Sequence, residues 1–357
     1  MKILHTSDWN LGKKFFNRDR FTEQKAVLSE IINIAGDRKV DIILISGNIF
    51  DGFNPSARNV ELFCETVSKL AAGGKRAVVI VSGKNDCPAR LKSISHLADK
   101  QGITIVSAPE DTVFKTNPAF RVSVAEAGTG YAEITVGKER VFVFLAPYCG
   151  ADKGGAVIAA APENAPPLKI ALLGIAQSDI SQEQKRLLDG CVYSAFGGDG
   201  TVIDAENALF ASGGITDSNF DEKNRNVVVA EITEDGLTAF DAVPLTHARK
   251  LKNIIAADFD AAKPYLNEFK DRYTRLIISS DKPVSQSAVT ALRKEFPLLT
   301  DILFSGFKED FEPPKFISPT GTDVFLSFLN GAGIDDLTGF GKIFRAIMEE
   351  QNETAEA

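Results

Sequence analysis

Histidine is almost missing from this chain: 357 residues hold only His5, His96 and His247. That leaves few imidazoles for metal ligation or acid–base work, the tasks histidine most often serves. Cysteine is sparse too. Cys64, Cys87, Cys149 and Cys191 are scattered and never spaced C-x-x-C, the pattern of reduced thiols in the cytosol. Long apolar runs are also lacking. Those at 41–46, 77–82 and 170–173 fall far short of the ~18 residues a membrane span needs. No apolar stretch of signal-peptide type follows Met1-Lys2, so neither membrane insertion nor secretion is expected. Positive charge is outnumbered, with 40 Lys and Arg against 48 Asp and Glu, net −8. This excludes a protein held to nucleic acid by its overall field and leaves only a local basic face or a basic partner for that task. A hydrophobic content of 44% and a charged content of 25% are ordinary for a soluble globular chain. The length predicts two domains with a sizeable core.

Three stretches organise what is present. Lys2-Ile3-Leu4-His5-Thr6-Ser7-Asp8-Trp9-Asn10-Leu11-Gly12 opens apolar and ends in a polar, glycine-closed loop. Asp41–Asp51 and Ala77–Asp86 repeat the form, through Ser46-Gly47-Asn48-Ile49-Phe50-Asp51 and Ser82-Gly83-Lys84-Asn85-Asp86. Each reads as a buried parallel strand that delivers small and acidic residues at its C-terminal end. Helical spacing lies between them, at Phe21, Gln24, Val27, Leu28 and Ile31, then at Val60, Phe63, Cys64, Val67 and Leu70. The three loops are therefore expected at one sheet edge, where open α/β sheets bind ligands.

From Ile103 to Leu145 short β runs predict a second sheet packed on the first. Gly150–Pro167, rich in Ala, Gly and Pro, reads as a surface excursion or partly ordered loop. Strands resume at 169–173, 192–196, 227–232 and 237–243. The domains expected are 1–247, a small α+β unit over 248–312, a helical hairpin over 313–350 and a disordered tail over 351–357. The hairpin carries an aromatic stripe that includes Phe325, Phe328, Leu329, Leu337, Phe340, Phe344 and Ile347.

The motifs Ile3-Leu4-His5-Thr6-Ser7-Asp8-Trp9, Gly47-x-Ile49-Phe50-Asp51, Gly83-x-x-Asp86 and Gly214-(x)5-Phe220-Asp221-Glu222 closely resemble the SbcD family. These are the nuclease subunits of bacterial SbcC–SbcD DNA-repair complexes, within the calcineurin-like metallophosphoesterases. The resemblance implies an α/β fold: a β-sandwich flanked by helices, a small α+β capping domain and a C-terminal hairpin that docks on an SbcC-like ATPase. It implies a homodimer in the cytoplasm, contact with DNA through the complex, and no membrane partner. It also implies two manganese ions, held by Asp-x-His, Gly-Asp-x-x-Asp and Gly-Asn-His-Asp loops and by three later histidines.

The ligands themselves depart from that pattern. Asp8 matches. Asn10 stands where the first histidine belongs, Asn48 replaces the bridging aspartate, Lys84 takes the asparagine ligand position, and Asn85 stands at the catalytic histidine. Ile175, Gly198 and Gly200 occupy the three later histidine positions. Amides bridge metals poorly, isoleucine and glycine side chains offer no donor, and a protonated lysine adds charge where the metal would sit. No bound metal is expected. For Asp8 a capping role is weighed against a leftover ligand, with Asp51 and Asp86 expected to bond loop backbone. Lys84 is either a solvated lysine or an ammonium that pairs with Asp8 or Asp51 in place of the metal. His5 reads as a core histidine. Lys13, Lys14, Arg18 and Arg20 are either phosphate contacts or a solvated helix entry.

Three functions compete. The favoured one is a pseudo-nuclease subunit that acts as scaffold and partner holder. The second is an active metal-dependent DNA exonuclease and hairpin endonuclease with a rebuilt site around Asp8, Asn10, Asn48, Asp51, Asn85 and Asp86. The third is a binder of a small phosphorylated ligand in the vacated cleft, with Lys84 as its contact.

Overall fold

A computed structural model describes residues 1–198, 200–217, 220, 225–279 and 284–305. Its first half alternates strand and helix: β1 (Lys2–Thr6), α1 (Phe21–Asp37), β2 (Ile42–Ser46), α2 (Ala57–Ala71), β3 (Ala77–Val81), α3 (Pro88–Ala98) and β4 (Ile103–Val106). Strands β1 to β4 pair in parallel, with Leu4 opposite Ile43 and Ile43 opposite Val78. Every residue of β2 and β3 is buried, as their near-continuous apolar sequences require. One face of this sheet packs Leu4, Ile43, Val78 and Ile80 against Val27, Ile31, Phe63 and Val67 of the helices.

The next segments are β5 (Val122–Gly128), β6 (Tyr131–Val136), β7 (Glu139–Ala146), β8 (Tyr148–Gly150), β9 (Gly155–Ala156), β10 (Lys169–Ala176), α4 (Gln182–Leu187), β11 (Cys191–Gly197), β12 (Val202–Asp204) and β13 (Leu209–Ala211). They build a second sheet in the order β12-β13-β11-β10-β7-β6-β5, with β8 and β9 forming a separate small ribbon. Strands β14 (Asn226–Thr233) and β15 (Gly236–Pro244) return to the first sheet, whose order is β15-β14-β1-β2-β3-β4. The sheets face one another across Ile3, Leu44 and Val79 on one side and Ile134, Val143, Ile170 and Tyr193 on the other. The chain is thus the expected sandwich flanked by helices.

Part of the Gly150–Pro167 excursion is tied down. Ala156 and Ile158 are buried with Phe144 and Leu173 in an outer apolar cluster. A capping box at Ser181 and Gln184 starts α4, and the same Gln184 donates Nε2 to the carbonyls of Gly154 (3.0 Å) and Ala156 (2.6 Å). Small residues had concealed an anchored segment.

Last come β16 (Leu251–Ala256), α5 (Phe259–Glu268), β17 (Tyr273–Ile278), α6 (Gln286–Glu295) and β18 (Leu299–Phe304), a three-stranded sheet in the order β16-β17-β18 with two helices. Leu251 and Tyr273 of this sheet bury against Phe15 and Phe220. Below them Arg20 grips Glu23 through two nitrogens (2.9 and 2.8 Å), and Tyr273 Oη donates to Glu23 Oε2 (3.1 Å). Arg18 donates to the Leu299 carbonyl (3.0 Å). Arg20 is therefore buried and faces inward, away from any phosphate, and half-buried Arg18 is tied to the small sheet. The aromatic stripe, the tail, Asp221 and Glu222 lie outside the described residues.

Candidate functional site

The ends of β1, β2 and β3 converge as their parallel order demands, and the backbone does most of the joining. Asp8 N donates to Gly47 O (3.1 Å), Asn10 N to Asn48 O (2.9 Å) and Leu11 N to Ile49 O (2.9 Å). Gln24 on α1 holds the first loop from behind, donating Nε2 to Asn10 O (2.9 Å) and accepting from Gly12 N at Oε1 (3.1 Å). The second and third loops touch chain to chain. A Cβ on Gly47 would lie 2.7 Å from Gly83 Cα, and one on Gly83 would lie 2.3 Å from Asn48 N. Asp8, Asn10 and Asn48 all take left-handed backbone conformations, with φ of 50°, 43° and 48°. Asn and Asp tolerate that region better than other side-chain-bearing residues, because a short polar side chain bonds locally.

Side chains complete a closed network. Asn48 Nδ2 donates to Asp8 Oδ1 (2.7 Å), and Gly198 N donates to Asp8 Oδ2 (2.7 Å). Asn48 Oδ1 accepts from Asn85 N (3.0 Å), so one amide ties all three loops together. Asn10 Nδ2 donates to the Asp8 carbonyl (3.1 Å), and Asn85 Nδ2 reaches Asn10 Oδ1 at 3.5 Å. Asp8 is buried, with 3% of its surface exposed.

Asp86 lies beneath, accepting from Gly83 N (2.8 Å), Phe50 N (3.0 Å) and Ile49 N (3.2 Å). Burial pushes its carboxyl up to about 6, with Asp8 adding to the rise, although the three N–H bonds pull the other way. Asp51 is exposed at the rim. Partial desolvation raises its pKa and nearby Lys13 opposes the rise.

Of the two readings of Lys84, the structure favours the solvated lysine. Lys84 is exposed and makes no ion pair among the described residues, with Asp8, Asp51 or any other carboxylate. Each Asp8 oxygen already accepts an N–H bond, and the neutral Asn48 amide stands where an ammonium was foreseen. Of the later positions, Ile175 is buried in the outer cluster with Leu173 and Phe196. Gly198 contributes its backbone N–H, and Gly200 has open space where a Cβ would stand. His5 is fully buried between Tyr193 Oη (3.1 Å from Nδ1) and Ser46 Oγ (2.8 Å from Nε2), and desolvation lowers its pKa to about 3. It is a neutral core histidine.

Sequence reasoning missed the amide bracket. Its signal was present: asparagine at 10, 48 and 85, three amides able both to donate and to accept. The donor chemistry does not fit two manganese ions. Asp8 faces N–H groups on both oxygens, and among the described residues no three His, Cys, Asp or Glu side chains gather as metal ligands.

Comparison with known proteins agrees with this strand-and-loop plan. The sequence model of the family "Calcineurin-like phosphoesterase" matches residues 1–123. The SbcD subunit of the nuclease SbcCD from Bacillus subtilis (strain 168) is 39% identical over 128 residues, 36% of this chain and 31% of that protein. Residues 1–123 are thus similar to the calcineurin-like phosphoesterase portion of SbcD proteins. The corresponding Escherichia coli (strain K12) protein is 32% identical over 108 residues, 30% of this chain and 27% of that one. The matched stretches thus span about a third of the relatives' length or less. Among solved structures, the Thermus thermophilus protein TT1561 overlaps with a TM-score of 0.39 at 13% identity, over 68% of this chain and 98% of that one, a likeness too slight to build on. Of the SbcD-like motifs, Gly214 backs the Asp8 carbonyl and Phe220 joins Phe15 in the apolar contact below the small sheet. No helix among the described residues is long and apolar enough to cross a membrane.

Proposed function

We propose that this chain is an SbcD-like subunit that keeps the phosphoesterase fold as a scaffold and does not hydrolyse DNA. One observation carries the reading: both oxygens of Asp8 accept N–H bonds from within the protein, at 2.7 Å each. Two-metal hydrolysis needs carboxylates that bridge a pair of cations and hold an attacking water between them. Here the bridging position is an amide whose N–H points at the one ligand that remains. Asn85, at the position of the family's catalytic histidine, cannot move a proton as imidazole does.

In this reading the working surfaces lie elsewhere. The α+β unit of 248–312 serves as capping domain, and the stripe from Phe325 to Ile347 holds an SbcC-like ATPase in the cytoplasm. The chain forms a homodimer and meets DNA through the complex. The description of its relatives as subunits of SbcCD supports the partner. A net charge of −8 suits a subunit that leaves DNA attraction to its partner. Calorimetric titration with manganese, beside a nuclease assay on double-stranded and hairpin DNA, tests the proposal. The expected result is no binding heat and no cleavage. Stoichiometric binding with cleavage abolished by Asp8→Ala would overturn it.

A further inference from the structure

A second concavity lies away from the three loops, along the seam between α1, the segment after β15 and the small sheet. Two adjoining cavities of about 450 and 480 Å³ share Thr246, Ala248, Arg249, Lys250 and Arg272 in their walls, within the size range of small-molecule sites. None of the residues of the three loops lines either cavity.

Its charge runs against that of the chain. Of the described carboxylates in the walls, Asp217 is held by Arg225 (2.6 Å) and Glu23 by Arg20 (2.8 Å), which leaves Asp271, with Glu30 at the rim. Against these stand Arg249, Lys250 and Arg272, none of which makes an ion pair among the described residues. The two arginines are placed by rings rather than by carboxylates. The Arg249 guanidinium lies over Tyr273, 5.3 Å from the centroid, and that of Arg272 over Phe269 at 5.0 Å. A guanidinium held over a ring by cation–π attraction keeps N–H groups for a ligand.

The walls are equally fixed. Arg249 N donates to Glu23 Oε1 (2.8 Å), the carboxylate that also anchors Tyr273. Glu30 accepts from Thr246 N (2.8 Å) and His247 N (2.9 Å), which pins the rim. Pro244, Leu245 and Leu251 add an apolar side.

We propose that this groove binds a phosphate monoester of nucleotide size. Arg249 and Arg272 take the phosphate, Lys250 adds a point charge, and the apolar wall receives the body of the ligand. Forked guanidinium donors match phosphate oxygens in pairs, which lysines alone do not. A free nucleoside monophosphate and the phosphorylated end of a strand offer the same chemistry.

Calorimetry on the full chain with AMP, adenosine, inorganic phosphate and a short 5′-phosphorylated oligonucleotide tests this. AMP should bind once per chain and adenosine should not. Inorganic phosphate, lacking the body, should bind more weakly than AMP. Whether AMP or the oligonucleotide binds more tightly identifies the source. Arg249→Gln and Arg272→Gln should each weaken AMP by roughly tenfold or more, the loss of one charge-assisted contact. Should either variant fail to fold, Lys250→Gln at an exposed position should show a smaller loss of the same kind. Lys84→Gln, in the other cleft, should leave the affinity unchanged. No heat with AMP or the oligonucleotide, equal binding of adenosine, or loss of binding in Lys84→Gln would overturn the assignment.

Discussion

Replacing Asn48 by aspartate tests the amide bracket at its centre. The substitution turns the N–H that Asp8 Oδ1 accepts at 2.7 Å into a carboxylate oxygen. Two full charges ~3 Å apart repel by roughly 5 kcal/mol at an effective dielectric near 20. Protonating one of them instead costs about 4 kcal/mol at pH 7 and about 1.5 kcal/mol at pH 5, from an ordinary carboxyl pKa near 3.9. The cheaper route wins, and a protonated carboxyl can again donate to Asp8. Asn48→Asp should therefore lose about 4 kcal/mol at pH 7 and about 1.5 kcal/mol at pH 5. The sign follows from linkage: the pair titrates above its unfolded value, so its stability is present at low pH and lost as pH rises from about 4 towards 7. Urea unfolding of both proteins at the two pH values reads this directly. A loss below ~1 kcal/mol at pH 7, with no recovery at pH 5, would show that Asn48 is not what satisfies Asp8. Manganese should raise the melting temperature of the variant and leave that of the parent unchanged.

Three further outcomes are expected. His5 is neutral when buried, with a pKa near 3 against 6.5 when free, so the unfolded chain binds more protons between those values and stability falls as pH drops through that window, by up to roughly 5 kcal/mol. His5→Gln should lack this loss, and parallel unfolding curves for the two proteins from pH 7 to 4 would refute it; taking their difference removes the opposing contribution of Asp86. Gly174→Ala would set a Cβ 1.9 Å from the Ser82 carbonyl, which already accepts from Tyr148 N (3.0 Å); a cost of at least ~3 kcal/mol, or no soluble folded protein, is expected in thermal melts. Lys84→Ala, at an exposed position with no ion pair among the described residues, should shift stability by less than ~0.5 kcal/mol in urea unfolding.

The framework was legible because its signals are local. Apolar runs at 42–45 and 77–81 announced strands covered on both faces, and the Ser-Gly that follows each announced a tight loop. The departures from the metal-ligand pattern were readable only through the resemblance to the SbcD family, which supplies that pattern. What replaced the ligands was not readable, since a bracket made by Asn48 to Asp8, Asn85 and their backbone depends on rotamers and on left-handed backbone that spacing does not encode. Of the two readings of Lys84, the solvated lysine is the one seen, and the choice between them depended on side-chain positions that spacing does not encode. The groove left no motif, because Arg249 and Arg272 are brought together only by the pairing of β16 with β17. The short alanine-rich excursion hid its anchor in Gln184, more than 20 residues downstream.

The left-handed turns at Asp8, Asn10 and Asn48 have a practical consequence. A protein engineer who wishes to install a cation here need not redesign the main chain, because the loops already hold the curvature that brings three side chains to one point. The work reduces to exchanging side chains. The first exchange must be made together with its counter-ion, since a lone added carboxylate meets Asp8 at hydrogen-bond distance with nothing positive between them.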